Sequence, residues 1–156
     1  MKIKLLFILS LILLVGCSDI EPDNPSDGKY ATQNQTSSLE YGIYMNKQIT
    51  VFTNQLTTRM GTCQNISQGY NVDNEITLAT QSLTTMQDAY DELCTVYPPN
   101  GADDDRESTI AAMETAIEHM EAYIDDLENG NDVSGYFKDF QNDFNQLTSL
   151  ANLYYE

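Results

Sequence analysis

The strongest constraint on the fold is a set of apolar residues that recur at alternating spacings of three and four. This spacing places them on one face of an α-helix. The stripes are Met45, Ile49, Phe52, Leu56, Cys63 and Ile66, with Arg59 or Met60 in the gap; Ile76, Ala79, Leu83, Met86, Tyr90, Leu93 and Tyr97; Ile110, Met113, Ile117, Met120, Ile124 and Leu127; and Val133, Phe137, Phe140, Phe144, Leu147, Ala151 and Tyr154. The pattern predicts four helices and no strand.

Helix-breaking residues lie between these stripes. Gly69 follows the first, Pro98 and Pro99 follow the second, and residues 129–131 (Asn-Gly-Asn) follow the third. Glycine adopts the left-handed conformation that ends helices, and proline cannot donate to a helix. Short loops such as these favour antiparallel packing of successive helices. We therefore predict an all-α, up-down-up-down four-helix bundle; the alternative is a three-helix bundle with an additional docked helix.

Two of the predicted helices begin next to residues suited to capping. Asp104 is followed three residues later by Glu107, as in a capping box, so we expect Asp104 to cap the third helix. Asp132 or Ser134 is expected to cap the fourth.

The N-terminus has the order of an export signal. Lys2 and Lys4 precede a largely apolar run over 5–15, and Leu14-Val15-Gly16-Cys17 follows. The run is shorter than the ~20 residues that a membrane-spanning helix needs. The last four residues resemble the lipobox of bacterial lipoproteins. That resemblance implies cleavage before Cys17 and attachment of a diacylglyceryl group to its thiol.

Three segments follow from these patterns. Residues 1–16 are expected to be a cleaved lipoprotein signal peptide. Residues 17–37 contain the lipidated Cys17 and a stretch rich in Asp, Asn, Ser and Pro, which is typical of a disordered tether. Residues 38–156 are expected to be the helical bundle domain, which is long enough to bury its own core.

The charge is strongly acidic. The chain has 24 Asp and Glu against 7 Lys and Arg, and every acidic residue follows Cys17. Cleavage would remove Lys2 and Lys4, so the mature chain would carry 5 − 24 = −19. Such a charge repels nucleic acid and anionic lipid and attracts cations or a basic protein.

Two cysteines remain after Cys17. In an antiparallel hairpin that turns near residue 70, Cys63 and Cys94 would be offset by about 17 residues, or roughly 26 Å. A disulfide needs Cα atoms within about 7 Å. We therefore expect two free thiols.

No metal or cofactor site is expected. His119 is the only histidine, and Ala116 occupies the position where a Glu-x-x-His di-iron motif needs Glu; we expect His119 on the surface. Asp103-Asp104-Asp105 is explained by helix capping rather than calcium. Residues 126–132 (DLENGND) lack the final Glu of a calcium loop, because Phe137 stands there.

We also expect no enzyme activity and no catalytic residues. The chain has no nucleophile elbow, and its carboxylates are expected on solvent-facing helix surfaces, where acid–base catalysis is disfavoured. Several tyrosines fall beside the stripes and are expected at half-buried bundle edges. They are Tyr41, Tyr44, Tyr123, Tyr136 and Tyr155.

Taken alone, the sequence indicates an exported lipoprotein on the outer face of a bacterial cell membrane or in an outer membrane. The expected function is a non-enzymatic protein-interaction module with an acidic surface and a basic partner. The alternative is a small-ligand or cation-binding surface lipoprotein. The oligomeric state stays open, because heptad stripes can also build a dimer.

Overall fold

A computed structural model describes residues 37–66, 71–99 and 101–154. The expected signal peptide, Cys17 and the tether up to residue 36 lie outside the described residues. The helices are α1 Ser38–Ile66, α2 Val72–Cys94, α3 Asp103–Asn129 and α4 Tyr136–Leu153. None of these described helices is long and apolar enough to cross a bilayer.

The helices form an antiparallel four-helix bundle, as predicted. Each helix packs on the next in sequence, and α4 closes the ring against α1, so α1 and α3 lie on a diagonal. The hydrogen bonds Gln48–Glu92 (2.8 Å) and Tyr90–Glu114 (2.6 Å) join the last two turns of α2 to the first halves of α1 and α3, as antiparallel packing requires. The rings of Tyr41 and Tyr154 meet at 6.0 Å, which places the start of α1 beside the end of α4.

The core is built from the predicted stripes. At least three residues of every stripe are buried, and Met45, Phe52, Met86, Met113 and Phe140 are fully enclosed. Tyr97 is the exception in the second stripe, with 50% of its surface exposed. It lies beyond the end of α2 at Cys94, where the helical periodicity no longer applies.

The first two helices begin at side-chain caps. At α1, the Ser37 hydroxyl accepts from the Glu40 backbone N–H (3.2 Å), and the Glu40 carboxylate accepts from the Ser37 N–H (3.2 Å). This is a capping box, which satisfies two backbone donors reciprocally. At α2, Asn71 accepts from the backbone N–H of Asn74 at 3.2 Å.

The caps predicted for the last two helices are wrong. α3 begins at Asp103 after Ala102, without a side-chain cap, so Asp104 lies inside the first turn. α4 begins only at Tyr136 after Gly135. Asp132 instead accepts from the Ser134 backbone N–H at 2.9 Å, a turn within the loop that delays the start of the helix.

The third helix ends where the sequence predicts. Gly130 has φ 72°, and its N–H bonds to the carbonyl of Leu127 at 3.2 Å. A left-handed residue at this position allows these terminal bonds, and glycine adopts it without steric cost.

A second glycine permits close packing between α1 and α4. A Cβ atom on Gly42 would lie 2.5 Å from the backbone oxygen of Tyr154. No side chain other than hydrogen fits there, so Gly42 sets how closely the end of α4 approaches α1.

Candidate functional site

The most distinctive surface of the bundle is a row of carboxylates along α3. Six acidic residues recur at spacings of seven, four, three, four and three, which places them on one helix face. We call this row the acidic stripe: Glu107, Glu114, Glu118, Glu121, Asp125 and Glu128. It spans 21 residues, or about 31 Å along the axis. Five of the six are exposed and Glu114 is half-buried.

The acidic stripe has little positive charge nearby. Arg106 is the only cationic side chain of α3 besides His119, and it donates to the backbone oxygen of Cys94 at 3.2 Å. Among the described residues, no stripe carboxylate takes part in an ion pair. Like charges three or four residues apart each destabilise a helix by roughly 0.2–0.5 kcal/mol. Burial, and next the neighbouring Glu118, raise the pKa of Glu121.

The opposite side of the bundle is almost uncharged. On α1, Glu40 and Lys47 are the only exposed charged residues, because Arg59 is buried. On α4, residues 138–143 contain three charged side chains, whereas residues 144–153 contain none. The negative charge of the described domain is therefore concentrated on α3 and is not spread evenly.

The acidic segments considered for calcium make contacts within the chain. No group of three His, Cys, Asp or Glu side chains within residues 37–66, 71–99 and 101–154 is arranged to hold an ion. Asp126 instead accepts from the Asn131 amide (2.7 Å) and the Tyr136 hydroxyl (2.7 Å), and these bonds lower its pKa. The triplet at 103–105 forms the first turn of α3, where negative charge favours the helix dipole.

His119 is half-buried rather than a free surface residue. Its Nδ1 lies 2.8 Å from Oδ2 of Asp143 on α4, and the Asp143 side chain is only 4% exposed. Burial raises the pKa of Asp143, and the His119 contact opposes that shift. Sequence reasoning missed this pair because it searched only the neighbours of His119 on its own helix.

A second buried carboxylate lies between α1, α2 and α3. Glu75 is fully buried, and both of its oxygens are 2.8 Å from Nη1 of Arg59. The hydroxyl of Tyr123 donates to the same carboxylate at 3.0 Å. Arg59, not Met60, therefore fills the gap in the first stripe. The expectation that the carboxylates lie on solvent faces is wrong for Glu75 and Asp143.

Two tyrosines predicted at bundle edges are instead in the core. Tyr41 and Tyr123 are 2% and 0% exposed, whereas Tyr44 and Tyr136 are half-buried as expected; Tyr155 lies outside the described residues. The Tyr123 ring packs edge-on against Phe140 at 5.3 Å, and its hydroxyl reaches Glu75. Burial, and then the Glu75 charge, raise the Tyr123 pKa. The sequence around Tyr123 did not indicate its burial, because its hydrogen-bond acceptor, Glu75, lies 48 residues away.

The thiol prediction is right for one cysteine only. Cys63 is free and buried, and burial raises its pKa to about 11, so the thiol stays protonated. Cys94 is disulfide-bonded, which contradicts the expected free thiol there. Cys63 is not its partner, in agreement with the axial offset between the two. The axial offset excludes a bond between these two cysteines but not a bond from Cys94 to another thiol.

A cavity of about 390 Å³ opens beside Cys63 at the end of the bundle formed by the α3–α4 loop. Its wall is apolar at Ile66, Val72, Leu127 and Val133 and polar along residues 130–132 and Ser134. A cavity of this size and lining has room for a small molecule.

The chain matches no known protein family, and no curated protein or solved structure is detectably similar to it.

Proposed function

We propose that this protein is a non-enzymatic, lipid-anchored module outside the cell that binds a cationic partner along α3. The observation that carries the proposal is the acidic stripe, a continuous row of six carboxylates without cationic partners. Solubility alone is an incomplete explanation, because scattered charges provide it without like-charge neighbours. The concentration of negative charge on one helix is better explained by binding of a cationic partner.

The shape of the acidic stripe indicates the class of partner. Its length of about 31 Å matches a helix of roughly 20 residues. A basic helix with lysines or arginines at spacings of three and four would present one cation to each carboxylate. Basic proteins or peptides of the cell envelope with such a face are the proposed partners. Nucleic acid is excluded by charge.

The binding proposal predicts a salt-dependent complex that depends on stripe carboxylates. The probe is a synthetic amphipathic helix of about 20 residues with lysines on one face, titrated into residues 18–156 by calorimetry. Replacing Glu118→Gln, Glu121→Gln and Asp125→Asn together should weaken binding about 30-fold. Each surface ion pair with the probe contributes roughly 0.7 kcal/mol, so the loss of three lowers the binding free energy by about 2 kcal/mol. High salt should weaken the wild-type complex as well.

The matched control removes the same charge elsewhere. Asp73, Asp88 and Asp91 are exposed on α2, and replacing all three by Asn changes the net charge equally. This control should bind the probe within about threefold of wild type. Equal losses in both triple variants would contradict the proposal, because net charge would then explain binding. With host envelope extract, the specific partner is the one retained by wild type and control and lost by the stripe variant.

The anchor is the second part of the proposal. In a bacterium that processes lipoproteins, the full chain should incorporate labelled fatty acid and sediment with membranes, whereas Cys17→Ser should lose the label and become soluble. Two or three acyl chains hold a protein firmly, since each buried CH₂ contributes about 0.8 kcal/mol. Cys63→Ala, which removes a free thiol, should keep label and location.

Mass spectrometry provides the decisive result for Cys17. The lipid bond is a thioether, so a lipidated Cys17 cannot also be the disulfide partner of Cys94, and the two bonds are mutually exclusive. A Cys17 peptide that carries no lipid, or that is released only by a thiol reductant, would contradict anchoring at this residue.

A further inference from the structure

The first turns of α1 expose large apolar side chains. Leu39 is 74% exposed and Ile43 is 62% exposed, and their spacing of four places them on one helix face. Leu153, at the adjacent end of α4, is 45% exposed. Three of the four large apolar side chains that the described residues expose therefore lie on the α1–α4 side.

Opposite charges flank this apolar site. Glu40 precedes Ile43 by three residues and Lys47 follows it by four, so all three share the exposed face. Glu40 and Lys47 are about 10 Å apart along the helix and cannot pair with each other. Within the described part of the chain, neither takes part in an ion pair.

We propose that a second copy of this chain covers the site, with the two α1 helices crossing antiparallel about a two-fold axis between residues 43 and 44. In a two-fold interface, residue i of one copy meets j of the other and j meets i. This axis places Glu40 opposite Lys47 twice, and the two Ile43 side chains lie together at the centre. The pattern of one apolar residue between opposite charges is self-complementary.

The charge distribution explains why two strongly acidic copies can meet here. The rest of the exposed face of α1 is neutral, with Thr50, Asn54 and Thr57 following Lys47. Since α3 lies diagonally across the bundle from α1, the two acidic stripes remain on the outer sides, roughly 30 Å apart. That distance is several Debye lengths at physiological salt, so their mutual repulsion is screened.

A lipid surface fits this site less well than a second copy. Antiparallel packing of successive helices places the start of α3 at the same end as the start of α1. Asp103, Asp104 and Asp105 therefore lie at this end and would repel anionic headgroups.

A charge-swap series tests the interface by sedimentation equilibrium of residues 18–156 in the presence of a thiol reductant, so that Cys94 cannot crosslink two copies. Lys47→Glu should weaken dimerisation at least tenfold, because one substitution turns both symmetric pairs into repulsive ones. Glu40→Lys combined with Lys47→Glu should restore dimerisation to within about threefold of wild type. Ile43→Asp should abolish it. Lys138→Glu, with the same charge change on α4, should have no effect.

Circular dichroism must show that each variant keeps the helical bundle, because Glu40 also contributes to the capping box of α1. A photo-crosslinker at position 43 of the full chain should give a product of twice the chain mass in the host. A wild-type monomer at all concentrations, equal dimerisation of Lys47→Glu, or no rescue by the double swap would overturn the proposal. Crosslinks from position 43 to lipid alone would identify a membrane as the occupant instead.

Discussion

Glu75→Gln should lower the free energy of unfolding by about 3–5 kcal/mol, a large part of the roughly 5–15 kcal/mol that a domain has. Arg59 is buried, with 5% of its surface exposed; its Nη1 contacts both oxygens of Glu75, and its Nε has no hydrogen-bond partner. Glutamine keeps the size of the side chain but removes the negative charge. The cost arises because a buried cation is left without a counterion.

Urea denaturation followed by circular dichroism measures this loss. Glu92→Gln is the matched control, because the Glu92 carboxylate is exposed and accepts one bond from Gln48. Its effect should stay below about 1 kcal/mol. The triple variant Arg59→Met, Glu75→Leu and Tyr123→Phe should recover wild-type stability or exceed it, since a well-packed apolar replacement removes all three polar groups at once. Wild-type stability of Glu75→Gln alone would show that the Arg59 charge is not buried in solution.

Gly42→Ala should destabilise the bundle by about 1–2 kcal/mol, although alanine is the better helix former. In an unhindered helix the change gains roughly 0.5–1 kcal/mol. At position 42 the new Cβ would lie 2.5 Å from the Tyr154 backbone oxygen, which cannot rotate away as a side chain could. The end of α4 must therefore move, and such overpacking costs about 1–3 kcal/mol.

Gly61→Ala on the same helix should change the free energy of unfolding in the opposite direction. Nothing lies within 4 Å of a Cβ at Gly61, so this variant should be more stable than wild type by about 0.5–1 kcal/mol. Thermal unfolding of the two single variants checks both predictions. A stabilising Gly42→Ala would mean that α1 and α4 are farther apart than the structure has them.

The fold was accessible to sequence reasoning because helical periodicity is a local signal. A stripe such as Ile110 to Leu127 is recognised from the spacing of its apolar residues, which recur every three or four positions. Gly130 marks a helix end through its own conformational freedom. Helix starts were less predictable, since Asp132 could cap either a helix or a loop. Its side chain bonds Ser134 in the loop.

The polar interior could not be predicted in the same way. Glu75 meets Arg59 across 16 residues and Tyr123 across 48, and His119 meets Asp143 across 24. These contacts depend on how neighbouring helices are rotated and shifted, which no single stripe specifies. Arg59 was the one hint, because it occupies a core position in its stripe and a buried arginine needs an acidic partner.

The side-by-side position of Tyr41 and Tyr154 has a practical consequence for displaying this domain on cells. Because the first helix starts beside the end of the last one, a reporter fused to the C-terminus would lie at the same end of the bundle as the tether to the proposed lipid anchor, close to the bilayer. The loop from Gly130 to Gly135 lies at the far end of α4, about 27 Å away along that 18-residue helix. An epitope inserted there would face the medium, where antibodies can reach it.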